Sequence, residues 1–219
     1  MNVGIIGATG RAGGKILVEA MEQGHEVTAI VRHPARLRNS SIPFIAKGLR
    51  QLEKKDVEDF DVLVHAFGSW ENEEETHLAA IQHIVAVLRD SAVRLIVVGG
   101  AGSLYLDKQK GLRLKDHADF PKSIQAVAEA GYQVLDYLNQ SDFKNWEYLS
   151  PAEHFIYAGQ RTGEFMLAGD ELLVNEDGVS EISYADYAIA LVDEIENSQL
   201  PQRHVSVIAK KKYGLPEGS

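Results

Sequence analysis

The 219-residue chain contains no cysteine, which excludes disulfide stapling, thiolate metal sites and cysteine nucleophiles. No apolar run approaches the ~20 residues that a membrane span needs, and Met1 runs straight into an apolar stretch with no charged-then-apolar leader before it. A cytoplasmic location is therefore expected. Internal repeats and low-complexity linkers are also missing. Positive charge is scarce: 22 Lys and Arg stand against 32 Asp and Glu, a formal net of −10. A field of that sign repels polyanions, so neither nucleic acid nor an anionic membrane is an expected partner. What is present is a composition 45% hydrophobic, sufficient for a packed core and of a length that suits one domain over residues 1–219.

The charge is unevenly spread. Residues 1–50 carry seven basic side chains (Arg11, Lys15, Arg32, Arg36, Arg38, Lys47, Arg50) against three acidic ones (Glu19, Glu22, Glu26), a local net of +4 within a chain of −10. A small anion held by the N-terminal part is the partner this distribution allows.

Short β-branched runs alternate with helical stretches, which predicts βαβ units. The expected fold is α/β, a doubly wound, Rossmann-like and mostly parallel sheet with a small C-terminal substrate lobe. Strands are expected at residues 2–6, 27–31, 43–46, 62–66, 95–98, 146–149 and 204–208, with a small one at 172–174. Amphipathic spacing places helices at about 12–23, 76–89 and 123–138, and a fourth that runs through Ile195 behind a capping signature of Ser183 and Asp186. Glu73, Glu74 and Glu75 read as a solvated helix start.

The strongest chemical signal is Gly7-Ala8-Thr9-Gly10-Arg11-Ala12-Gly13, directly after the first strand and opening the first helix. Glycine at the first position permits the turn, at the second lets a pyrophosphate approach the main chain, and at the third lets helix and strand pack closely. The amides at the helix start then face the phosphates, where the helix dipole favours negative charge. About 20 residues on, an NAD enzyme places an acidic residue against the ribose hydroxyl. Here Val31 is followed by Arg32. A guanidinium pairs with a 2′-phosphate, so NADP(H) is expected, with NADPH favoured over NADH.

The runs Gly4-Ile5-Ile6-Gly7-Ala8-Thr9-Gly10 and Val27-Thr28-Ala29-Ile30-Val31-Arg32 resemble the atypical branch of the short-chain dehydrogenase/reductase superfamily. Within it the likeness is to NmrA-like proteins, biliverdin-IXβ/flavin reductases and the bacterial NADH-flavin reductases. Val97-Val98-Gly99-Gly100-Ala101-Gly102-Ser103-Leu104, Arg161-Thr162-Gly163 and Ile182-Ser183-Tyr184-Ala185-Asp186-Tyr187-Ala188 extend it over nearly the whole chain. The resemblance implies that Thr9, Gly10 and Arg11 cradle the pyrophosphate, that Arg32 meets the adenosine phosphate, and that Ala66, Phe67 and Gly68 line the ribose region. The chain departs from many relatives where they carry an adenine-contacting Asp, reading Ala46-Lys47-Gly48-Leu49 instead.

A second departure concerns chemistry. In many enzymes of the superfamily a Tyr-x-x-x-Lys pair passes a proton to a carbonyl or alcohol, but none of the eight tyrosines here has lysine four residues later. Ketone reduction and sugar epimerisation are thereby disfavoured. Hydride transfer to a flavin or similar planar acceptor is less demanding, because the cofactor supplies the chemistry and water can protonate the product. Ser103, after the fifth strand, is the expected orienting group. His154 is the expected proton donor near neutral pH, with Phe155 and Tyr157 closing over the acceptor. His77 and His83 lack metal-ligand spacing, so no metal is expected. A homodimer is compatible with this reading. A non-catalytic, NmrA-like redox sensor is the alternative that the missing Tyr-Lys pair fits equally well.

Overall fold

A computed structural model describes residues 1–68, 74–109, 111–197 and 203–213; side chains 74–76, and with them the run at 73–75, lie outside the described set. The first half of the chain forms β1 (Asn2–Ile6), α1 (Arg11–Glu22), β2 (Glu26–Val31), β3 (Phe44–Ala46), α2 (Lys54–Val57), β4 (Val62–His65), α3 (Glu74–Leu88) and β5 (Arg94–Val98). It continues through β6 (Tyr105–Asp107), β7 (Leu112–Arg113), α4 (Gln125–Gln140), β8 (Trp146–Pro151), β9 (His154–Ile156), β10 (Phe165–Ala168), β11 (Glu181–Ser183), α5 (Tyr184–Asn197) and β12 (Arg203–Ala209).

Among the described residues, eight strands form one sheet in the order β10-β12-β8-β5-β4-β1-β2-β3, parallel except for the antiparallel edge pair β10–β12. The central strands read as unbroken apolar runs because helices cover both faces. Val3, Ile5, Val62 and Val64 point to one side, packing with Ile16, Leu17 and Ala20 of α1 and Tyr187, Leu191 and Ile195 of α5. Ile6, Leu63, Leu95 and Val97 point to the other, against Ile81 and Ile84 of α3 and Val134 and Leu135 of α4. Each such buried aliphatic contributes roughly 1.5–3 kcal/mol.

Local chemistry sets the helix ends. Gly24, at φ 83°, lets the His25 amide return to the Ala20 carbonyl at 3.0 Å and stops α1. The Asp186 amide donates to Ser183 Oγ at 2.9 Å, the cap that the sequence predicts for α5.

The 172–174 segment is not a strand. The Leu172 amide donates to the Tyr105 carbonyl at 2.9 Å, and the edge strand forms earlier, at Phe165–Ala168. Both runs are short and apolar, and only pairing with β12, far along the chain, distinguishes them. The two-stranded sheet β9–β11 stands where a C-terminal lobe was expected, while β10 and β12 extend the main sheet. No described helix is long and apolar enough to cross a membrane.

Candidate active site

The sheet order reverses between β1 and β4, the place where open α/β sheets leave a crevice at their carboxyl ends. Two glycines of the first turn are demanded by the fold itself. Gly7 has φ 78° and a Cβ there would lie 2.6 Å from the Ala66 carbonyl oxygen; a Cβ on Gly13 would lie 2.3 Å from that of Gly7. Gly10 differs, since its φ of −79° suits any residue and its Cβ would meet only the Gly7 carbonyl, at 3.1 Å. Its bareness opens the outer face of the turn. At that face α1 begins with no side-chain cap and no acidic residue in its first turn, and Thr9, Gly10 and Arg11 are exposed. The Gly10 amide is spent on the Gly7 carbonyl at 2.8 Å, but the first-turn amides that follow it lie at the positive end of the helix dipole, where an anion site forms, so this turn fits a dinucleotide diphosphate.

Arg32 follows β2, is exposed and forms no ion pair among the described residues. Its Cγ would lie 4.0 Å from a Cβ at Gly48, so its stem runs along the 46–49 segment. Lys47 is instead committed to Asp56 at 2.7 Å and Glu53 at 3.4 Å. Arg32 is thus a cation on this side with no ion-pair partner among the described residues.

From the turn a cleft of about 540 Å³ extends over Ala66, Phe67, Gly68 and Gly100 to Phe155, Tyr157 and Tyr184. A Cβ at Gly68 or Gly100 would meet no atom within 4 Å, so the backbone itself forms part of the wall. The far wall is aromatic: Phe155 stacks on Tyr184 at 3.6 Å and 6°, and Tyr157 meets Tyr184 edge-on at 5.5 Å. Burial raises the pKa of the Tyr184 hydroxyl above its ordinary value. The Arg11 guanidinium lies 5.5 Å above the Tyr157 ring, joining the anion-binding end to the aromatic end. Among the described residues no cluster of His, Asp and Glu is placed to hold a metal.

The structure brings Arg11, Ala12, Ala66, Phe67, Gly68 and His154 to the walls of this cleft, with His154 exposed at its mouth. Arg32 lies outside it, beyond the turn. Ser103 requires a correction. Residues 101–103 form a tight helical turn that carries Ser103 back under the loop, leaving it 2% exposed and off the cleft wall. Its Oγ donates to the Gly100 carbonyl at 2.8 Å and lies 3.0 Å from Ser150 Oγ and 3.3 Å from His204 Nε2. Ser150 Oγ is 2.9 Å from the same nitrogen and also donates to Gly100, at 3.1 Å. Burial pushes the His204 imidazole down to about 4. With both hydroxyls donating to the carbonyl, a neutral ring protonated on Nε2 satisfies the set. Ser103 is therefore held by hydrogen bonds behind the glycine wall. No local sequence signal marks Ser150 or His204, which lie 47 and 101 residues from Ser103.

The Arg161-Thr162-Gly163 block is a clamp. The buried Asp186 carboxylate accepts from the Thr162 amide (2.7 Å), the Thr162 hydroxyl (2.6 Å), the Gly163 amide (2.9 Å) and the Tyr213 hydroxyl (2.9 Å). Arg161 pairs with the buried Glu19 of α1 at 2.8 Å. These bonds tie the segment after Tyr157 to both helices of one face.

A Rossmann-like sheet with an open anion-binding turn at its switch point defines a class, the dinucleotide-binding α/β proteins. The chain belongs to the NAD(P)H-binding family, whose model matches residues 7–197. The uncharacterized protein YwnB of Bacillus subtilis strain 168 is 42% identical over 211 residues, spanning 96% of this chain and 99% of that one. A crystal structure of a "putative NADH-flavin reductase" from Streptococcus pneumoniae TIGR4 superposes with a TM-score of 0.92 at 41% identity, covering 96% of this chain and 100% of the other. ChuY, an anaerobillin reductase of Escherichia coli O157:H7, matches with a TM-score of 0.71 over 98% of this chain and 100% of its own, and at 16% identity that likeness concerns the fold alone. A nicotinamide dinucleotide is the cofactor that family membership assigns.

Proposed function

We propose that this protein is an NAD(P)H-dependent reductase of a flavin or flavin-like planar acceptor, with NADPH preferred. One observation carries the reading: at the switch point a single cleft joins an open anion-binding turn to a flat aromatic wall. The bound dinucleotide supplies the hydride. Thr9, Gly10, Arg11, Ala12 and Gly13 receive the diphosphate, and Arg32 pairs with the 2′-phosphate beyond the turn. Ala66, Phe67 and Gly68 line the ribose region, while Phe155 and Tyr184 exclude water and offer a face for a planar ring. His154, exposed at the mouth, stands where it can meet the acceptor as it enters and leaves. The absence of a Tyr-x-x-x-Lys pair suits an acceptor that needs no proton delivered in the hydride step. The name borne by the Streptococcus pneumoniae neighbour supports the same acceptor class.

The test is steady-state oxidation of NADPH, followed by absorbance, with free FMN, FAD, riboflavin or a quinone. Turnover with at least one of them is expected. Tight NADPH binding with no turnover above background for any of them would refute the reductase and leave a dinucleotide-binding sensor.

A further inference from the structure

His65 is the last residue of β4, at the switch point itself. Its register partners, Ile6 of β1 and Val97 of β5, are apolar. The residue is 2% exposed, and neither ring nitrogen has a hydrogen-bond partner among the described residues. The nearest rings are aromatic neighbours: Phe67 meets His65 edge-on at 6.2 Å and lies 5.3 Å from His77 of α3. Nearby polar groups are satisfied, as where the Tyr148 hydroxyl donates to the Gly131 carbonyl at 3.0 Å. Yet His65 is one of the residues that line the cleft, together with His77 of α3 and Gly131 and Tyr132 of α4.

A buried polar group without a partner destabilises a fold, and an apolar residue would fill an apolar strand end at no such cost. Both nitrogens lie beneath the surface, and the cavity that His65 borders is the cleft. Burial, with His77 as a lesser cause, pushes the imidazole down to about 4, so at neutral pH the ring is uncharged, with one N–H donor and one acceptor nitrogen. Its complement is a neutral donor-acceptor group such as a hydroxyl, carboxamide or imide, rather than a phosphate or carboxylate.

We propose that His65 is a ligand-binding residue whose imidazole hydrogen-bonds a neutral hydroxyl or amide group of a molecule seated in the cleft beside α3 and α4. This rests on the reading of the cleft as a dinucleotide and acceptor site. Two sources present the same chemistry: the nicotinamide half of the cofactor, through ribose hydroxyls or carboxamide, and the acceptor, through the imide edge of a flavin-like ring.

The experiment titrates the full-length protein with NADPH and, separately, with lumichrome, an isoalloxazine-like ring bearing the imide but no ribityl chain. Binding is read by fluorescence for wild type, His65→Leu and His65→Gln, and Tm is measured without ligand. His65→Leu is expected to weaken one of the two ligands by roughly tenfold, the effect of one lost hydrogen bond, and His65→Gln to recover part of the loss. The unliganded His65→Leu protein is expected to melt at or above the wild-type Tm, a readout that a structural histidine would move the other way. Loss confined to NADPH assigns the group to the cofactor, and loss confined to lumichrome assigns it to the acceptor. Unchanged affinity for both ligands overturns the proposal and leaves the dinucleotide reading intact. A His65→Leu protein that melts lower or does not fold also overturns it. A wild-type chain that binds neither ligand overturns both.

Discussion

A buried histidine and a half-buried one face opposite circumstances in this molecule. His65 and His204 are each pushed down to about 4 by burial, so each is neutral at physiological pH. His204 nevertheless sits among the hydroxyls of Ser103 and Ser150, at 3.3 and 2.9 Å, while both nitrogens of His65 are without a partner among the described residues. The same contrast holds for the cations, where Lys47 is spent on Asp56 and Arg32 forms no ion pair among the described residues. The paired His204 lies off the cleft lining, whereas the unpaired His65 is one of its lining residues. Within these two comparisons the state of pairing differs while the residue type differs little or not at all.

The comparison is sharpened most by removing a paired group. Asp186→Ala strands the Thr162 and Gly163 amides and two hydroxyls that its buried carboxylate now receives. A loss of about 3–5 kcal/mol is expected, seen as a fall in Tm of roughly 6–20 °C. The next effect is on pH dependence. Unfolded imidazoles titrate near 6.5 and both of these fold to about 4, so between those values the unfolded chain binds more protons. Stability should be full above pH 6.5 and be lost as pH falls toward 4, by up to about 3 kcal/mol per histidine. Urea midpoints at pH 7 and pH 5 measure it, and His65→Leu should remove only the share of His65. A flat profile in wild type would break the comparison.

On the unpaired side, Arg32→Glu should weaken NADPH by roughly 10–100-fold, as expected for a lost charged hydrogen bond, while NADH changes little. Equal losses would refute the 2′-phosphate role, and Tm should be unchanged. The smallest effect is expected for Ser150→Ala, which leaves His204 with Ser103 alone. About 1 kcal/mol of stability should go, visible in Tm, with NADPH affinity kept within about twofold.

Much of this organisation can be read before folding is considered. The Gly7–Gly13 turn is contiguous, so its strand, turn and helix signals reinforce one another within one short window, and the close approaches at Gly7 and Gly13 follow from backbone sterics. Arg32 is legible for the same reason, being counted from that turn. Ser103 misleads because a residue after a strand end can point into the crevice or back beneath it, and here the helical turn at 101–103 takes it beneath. His65 gives no signal at all, since one histidine closing an apolar strand disturbs no periodicity. The 172–174 segment and Phe165–Ala168 look alike until β12 pairs with one of them.

By itself, then, the amino-acid sequence determined the alternation of strands and helices, the glycine turn that opens α1, the cation after β2 and the absence of a Tyr-Lys pair, all properties of neighbours along the chain. Only the tertiary structure decided that Ser103 and His204 are partners, that Asp186 holds the loop beyond Tyr157, and that His65, in the cleft wall, is left unpaired among the described residues. A polar group is satisfied or not by atoms that folding brings within about 3 Å of it, and here those atoms come from residues up to a hundred positions away.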